Sequence, residues 1–283
     1  MKKLLVFCLF GVALSACHSQ SSTPSTTATT AAPIPATGSG AAAPTGVLVA
    51  APREAGPSLA LLQRVDLAAV WANHWGEQEQ PHPMEGFYGA DHYHISFFFD
   101  EVQRDPQRPA AFRVWGRTRY KKVITPFTGT ITVTRLAPLA DTVSLENSQR
   151  AQAYTAFGAF VLNEDPTTKG AGVYRGQALL DFCVNAQDKA VPTNFMDMDA
   201  GSGNPTKGSG LLFEGSWHSN RTGTEKPVAW SSVYEVIVPD ALQQMGLGQR
   251  GAEPNPRLAK YGWFETMEND EWWNDTPKAS VPL

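Results

Sequence analysis

The chain has 283 residues, 42% of them hydrophobic and 10% aromatic, with a formal charge of -4. Such a composition supplies enough apolar surface for a folded core. Its acidic balance excludes nonspecific nucleic-acid binding, which needs a basic footprint.

The first element is a basic start (Lys2, Lys3) followed by an apolar stretch from Leu4 to Leu14 and small residues at Ser15 and Ala16. This is the layout of a secretory signal peptide. The apolar run is too short to span a bilayer, which takes about 20 residues. The run Leu14-Ser15-Ala16-Cys17 resembles the lipobox of bacterial lipoproteins. The resemblance implies a signal peptide over residues 1–16, cleavage before Cys17, and acyl chains such as palmitate on its thiol and new amine. Removing Lys2 and Lys3 takes the charge from -4 to -6. Residues His18, Ser19 and Gln20 put no aspartate beside Cys17, which by resemblance to lipoprotein sorting signals implies the outer membrane, facing the periplasm. The alternative is an ordinary cleaved signal with a coincidental cysteine. Cys8 leaves with the signal and Cys17 carries lipid, so Cys183 has no partner for an internal disulfide. A lone thiol of this kind is either reactive or, as is commoner, a small half-buried packing residue.

Residues 17–57 form the anchor and a tether. Of the 40 positions from 18 to 57, 32 are Ser, Thr, Ala, Pro or Gly. Such a segment does not bury enough apolar surface to offset its ordering entropy and is predicted to be disordered, spanning roughly 35 Å. The folded domain is expected over residues 58–283. Leu62, Val65, Ala69 and Ala72 recur at helical spacing and predict a helix over 59–73, with Ser58 as N-cap.

After Gly86 the period becomes two. Tyr93, Ile95, Phe97 and Phe99 share one face. Phe112, Val114, Gly116, Thr118 and Tyr120 share a second, with Arg113, Trp115, Arg117, Arg119 and then Lys121 opposite. Phe127, Gly129, Ile131 and Val133 share a third, with Thr128, Thr130, Thr132 and Thr134 opposite. Alternation of this kind marks antiparallel strands with one wet face, and Asp105-Pro106, Pro109 and Thr125-Pro126 read as turns of a meander. Further strands are expected at 153–162, 173–184, 211–217 and 230–238. The segment 173–184 mixes its faces and reads as buried on both sides in part. Strand glycines at 116, 129, 176 and 215 suggest bends of a curling sheet. The fold class is therefore all-β, an antiparallel meander forming a barrel or coiled sandwich, with one N-terminal helix. Phe213-Glu214-Gly215-Ser216-Trp217 resembles the Gly-x-Trp element of lipocalin-like and avidin-like barrels, although here it falls late in the chain rather than on the first strand. The whole resembles barrel-type envelope lipoproteins.

Several side-chain sets carry chemistry. His92 and His94 share a strand face, with His74, His82 and Glu85 close in sequence, and a His-x-His pair can hold zinc. The facing arginines disfavour a dication there, so ordinary solvated histidines are the alternative, and no metal or cofactor is expected. Arg113, Trp115, Arg117 and Arg119 form a row of charge and one ring that suits an anionic glycan, headgroup or phosphate; otherwise it is a solvated outer face. Asp197 and Asp199 before Gly201 hint at a calcium loop but lack the later glutamate. Lys207-Gly208 reverses the order a P-loop needs, and no Gly-x-Ser-x-Gly elbow or His-Glu-x-x-His helix occurs. Tyr261, Trp263, Phe264, Trp272 and Trp273 sit among Glu265, Glu268, Asp270, Glu271 and Asp275, either as a strap closing one end of the domain or as an exposed platform for a sugar or partner. The functional expectation is a lipid-anchored envelope protein with a binding or structural role toward a glycan, an amphiphile or an envelope protein. The alternative is a hydrolase acting on an envelope or external polymer, because paired carboxylates are set by space and not by sequence.

Overall fold

In the computed structural model the alternating segments pair into one continuous antiparallel ring. The structure describes residues 59–75, 80–144, 150–193, 204–249, 253–267 and 271–274. Cys17, the 18–57 segment, Ser58 and the Asp197/Asp199 pair lie outside them.

Eight strands make the ring: β1 (Met84–Tyr88), β2 (Tyr93–Arg104), β3 (Ala111–Tyr120), β4 (Val123–Ser144), β5 (Arg150–Glu164), β6 (Gly172–Val184), β7 (Leu211–Ser219) and β8 (Glu225–Ser231). Each pairs antiparallel with the next, and β8 closes on β1 through Val228↔Tyr88 and Trp230↔Gly86. The far end of β6 leaves β7 and takes the short strand Ala190–Pro192 as its neighbour instead. The expected strand at 230–238 is shorter than its apolar content suggested. It ends at Ser231, and Tyr234–Ile237 forms a 3-10 turn. The expected turn at Thr125-Pro126 lies inside β4, and the chain reverses earlier, at Lys121 and Lys122. Both lysines have positive φ (50° and 61°), the backbone of a two-residue type I′ hairpin.

The ring is filled by rings. Trp230 is stacked between Phe97 (3.8 Å between centroids, 12°) and Phe213 (4.7 Å, 7°), and Phe160 meets it edge-on at 5.0 Å. Eight strands enclose just enough space for side chains, and inward glycines make room for the largest of them. Gly86 faces Trp230 across the β1–β8 ladder, and a Cβ there would lie 2.5 Å from the Cβ of Trp230. Small residues opposite large ones are how a narrow barrel fits its taper.

At one end the N-terminal segment plugs the ring. Trp71 packs on Phe112 and Phe213, and Leu62, Val65, Leu67 and Val70 join the same core. The expected single helix is two turns, α1 (Leu61–Arg64) and α2 (Ala68–Trp71). Two contacts explain the break. Asp66 accepts a hydrogen bond from the backbone of Ala68 at 2.9 Å and starts a second turn. Arg104, at the end of β2, donates to the carbonyls of Leu62 (2.9 Å) and Val65 (3.3 Å), which leaves Val65 extended.

At the other end the ring closes on itself. Tyr88 contacts Tyr120 at 4.6 Å and Trp217 at 5.6 Å, and Tyr93 contacts Tyr120 at 5.3 Å. Lys121 covers Tyr93 and Tyr120, and Lys226 covers Tyr88, at 4.8 to 5.2 Å. Beneath them Glu164 accepts from Trp217 Nε1 (2.9 Å), the Gly172 amide (2.8 Å), the Tyr174 hydroxyl (3.1 Å) and Thr118 (3.4 Å). Burial still holds its carboxyl above the usual glutamate range, against the pull of those donors.

Candidate functional site

With the interior filled and both ends closed, the outer wall is the surface left for chemistry, and its two halves differ. The half over β1 and β2 is covered by the chain's own C-terminal segment. Tyr234, Leu242, Leu247, Leu258 and Trp263 pack with Phe87 of β1. Trp263 lies on His94 (4.6 Å) and Tyr234 (4.9 Å), while Trp273 stacks on Phe98 (5.8 Å, 14°). Asn255 caps the turn Pro256–Tyr261 by accepting from the Arg257 amide. Gly262 ends that turn at φ 79°, where a Cβ would sit 2.5 Å from the Tyr93 ring. The segment is thus a strap along the wall rather than a lid over an end. Trp263 and Trp272 are buried by it; the side chain of Glu265 and residues 268–270 and 275–283 fall outside the described residues.

This cover divides the arginine row. Arg117 and Arg119 keep only 3% and 6% of their surface, so the expected open stripe of four does not form. Arg117 is forked onto Asp100, with Nε donating to Oδ2 at 3.1 Å and Nη2 to Oδ1. Asp100 reaches it because it is the extra residue of a β-bulge between Phe99 and Glu101, which turns two successive side chains outward. Alternation alone could not reveal that bulge. Trp115 is half-buried, and Arg113 is exposed beyond the edge of the strap.

The histidines also part. His92 sits in the β1–β2 turn at φ 54°, with its ring edge-on to Phe87, and does not share a strand face with His94. His94 is buried, and its Nε2 lies 2.6 Å from Glu85 and 3.3 Å from Ser96, whose hydroxyl also donates to Glu85. A second set lies on the wall: Ser216, His218 and Glu225, with His218 Nε2 3.0 Å from Glu225 and 3.3 Å from Ser216. Both sets contain a serine, a histidine and a carboxylate, and neither is wired for nucleophilic attack. In a working triad one imidazole nitrogen takes the serine proton while the other is held by the acid. Here a single nitrogen faces both partners. Among the described residues no group of three His, Cys, Asp or Glu side chains could hold a metal ion, and no helix is long and apolar enough to cross a membrane.

The open half of the wall is the face of β3 to β6. Register aligns its outward residues in rows that cross the strands: Trp115, Thr128, Asn163 and Val173; then Arg113, Thr130, Val161 and Arg175; then Thr132, Ala159 and Gln177. A second bulge at Thr134 turns Thr134 and Arg135 outward together. The Thr134 hydroxyl donates to the Phe157 carbonyl at 3.1 Å, and Arg135 lies 3.6 Å over the Phe157 ring. Short hydroxyls and amides, one indole and a few guanidinium groups thus line an exposed sheet face. The threonine ladder was visible in the sequence as the polar side of a strand; its union with Asn163, Arg175 and Gln177 depends on pairings that no local pattern encodes.

Comparison of the chain with family models, with curated proteins and with solved structures gives no match.

Proposed function

We propose that this protein is a lipid-anchored envelope protein that binds a glycan on the open outer face of its β barrel. Acyl chains on Cys17 hold it to the outer membrane on the periplasmic side, and residues 18–57 join the anchor to the barrel. The reading rests on the lipobox resemblance at residues 14–17 and on one structural observation. The barrel interior is occupied by its own aromatic side chains, so a ligand has to be met on the wall, and among the described residues the strap leaves the β3–β6 side uncovered.

The chemistry of that face suits a sugar chain. Trp115 offers an indole against which a pyranose can stack, and the threonines, Asn163 and Gln177 offer donors and acceptors at strand spacing for its hydroxyls. The β scaffold fixes these groups in advance, so little ordering is needed on binding.

Retention of the full-length protein on immobilised envelope polysaccharides tests the binding reading. Trp115→Ala is expected to weaken retention about tenfold, the loss of one stacking contact worth about 1.4 kcal/mol; unchanged retention would remove the indole from the site. The anchor is tested separately by Cys17→Ser, which should move the protein from the membrane fraction to the soluble one. Persistence in the membrane fraction would refute the lipid attachment.

A further inference from the structure

We infer that the ligand of the open face is an acidic polysaccharide, held by three arginines that belong to three different strands. The inference rests on the glycan-binding reading above and adds the charge of the polymer. Arg113 on β3 and Arg175 on β6 stand in one row, joined through Thr130 and Val161 by successive register pairs. Three inter-strand steps put their backbones about 14 Å apart. Arg135 lies on β4, five residues beyond Thr130 and so about 16 Å along the strand. All three are exposed.

The surroundings are selective in sign. Between Thr128 and Arg135 on β4, and at the positions these face on β3 and β5, the described outward side chains include no carboxylate. Of the acids that border the face, two are paired with basic side chains and the third, Glu101, is hydrogen-bonded to a neutral amide and keeps its charge. Glu214 accepts from Lys207 Nζ at 2.7 Å, Glu225 is paired with His218 at 3.0 Å, and Glu101 accepts from Gln103 at 2.7 Å. The Ser216 hydrogen bond, then His218 and least of all the field of Arg175 hold the Glu225 carboxyl below the usual range.

Separated guanidinium groups on a neutral floor of threonine, valine and alanine fit a polymer whose carboxylates recur along its length, because each guanidinium can fork onto one carboxylate while the sugar rings cross the short side chains between. A single phosphate or headgroup would need the cations to converge, and here they diverge. The chain as a whole is acidic, so this positive field is a local property of one face and not a bulk attraction.

The test is affinity electrophoresis of the full-length protein through gels containing polygalacturonate or the same polymer with its carboxylates reduced to alcohols. Retardation by polygalacturonate that is at least tenfold stronger than by the reduced polymer, that falls with added salt, and that is lost in the Arg113→Ala/Arg175→Ala double variant is the expected result. Equal retardation by both polymers, unaffected by the arginine substitutions and abolished by Trp115→Ala, would overturn the acidic preference and leave the glycan reading standing. No retardation by either would overturn both. Circular dichroism of each variant separates lost binding from lost fold.

Discussion

Two buried carboxylates carry sharp expectations because their surroundings act in opposite ways. Asp181 lies where β6 exchanges one neighbour for another. Its amide donates to the Gly210 carbonyl, its carbonyl accepts from Thr193, and its side chain accepts from Thr155 on β5 and from Thr206 in the turn that leads to β7. Burial pushes its carboxyl up to about 6 despite the two hydroxyl donors. The folded state therefore binds the proton more tightly than the unfolded chain, whose aspartates titrate near 3.8. The stability this gives is fully present below about pH 4 and is lost as pH rises through 6. Asp181→Asn should remove that slope: urea midpoints of the variant and the parent should nearly coincide at pH 3.5 and diverge above pH 6, the variant being more stable by up to about 3 kcal/mol. Asp100 is the contrasting case, since its charge is matched by the Arg117 fork. Asp100→Ala leaves a guanidinium buried without that partner and should cost about 3–5 kcal/mol in urea unfolding. The double change Asp100→Leu/Arg117→Met should recover most of that loss, because desolvating an ion pair offsets much of its attraction. A double variant as unstable as Asp100→Ala would instead assign the pair a net stabilising role.

At the scale of elements, the strap matches one of the two expectations for its aromatics, but it runs along the wall rather than over an end of the domain. Trp263 is fully buried against Phe87, His94 and Tyr234, so Trp263→Ala should lower stability by about 3–5 kcal/mol. If thermal unfolding moved by only a degree or two, the segment would be a loose covering rather than part of the core. The paired aromatics of this segment were plain in the sequence, but not the wall they cover. His94 and Phe98 alternate with inward residues as solvent-facing positions do, and only the strap makes them buried. Strands β2 to β4 were legible from their period of two and β5 to β7 from less regular patterns, as was the double burial of β6 at Leu179 and Cys183. β1 was not, because five residues containing Gly86 are too few for a period to show. The helix break at Val65 was hidden for another reason: it depends on Arg104, some forty positions away. On the candidate site the sequence showed Arg113 and Trp115 as surface residues. It could not show that Arg117 and Arg119 would be covered, nor that Arg175 would join them across two strands.

At the scale of the molecule, closure settles the fold class between its two expected forms. The outward face of a sandwich would end at free edges, whereas here every long strand has a neighbour on each side, β3, β5, β6 and β7 over most of their length and β2 and β4 over a shorter overlap. Such a ring, where it is paired on both sides, hides the backbone groups that would otherwise recruit a second chain. It also constrains how the molecule is made. The seam of β1 on β8 joins Tyr88 to Val228 and so nearly the two limits of the barrel sequence. Contacts so distant along the chain close late, and domains dominated by them fold in milliseconds to seconds rather than microseconds. A newly made polypeptide would therefore hold two raw ladder margins until its final hairpin arrived. Maturation becomes a race between that arrival and capture by a neighbour, one in which a chaperone that shields β1 would decide the yield.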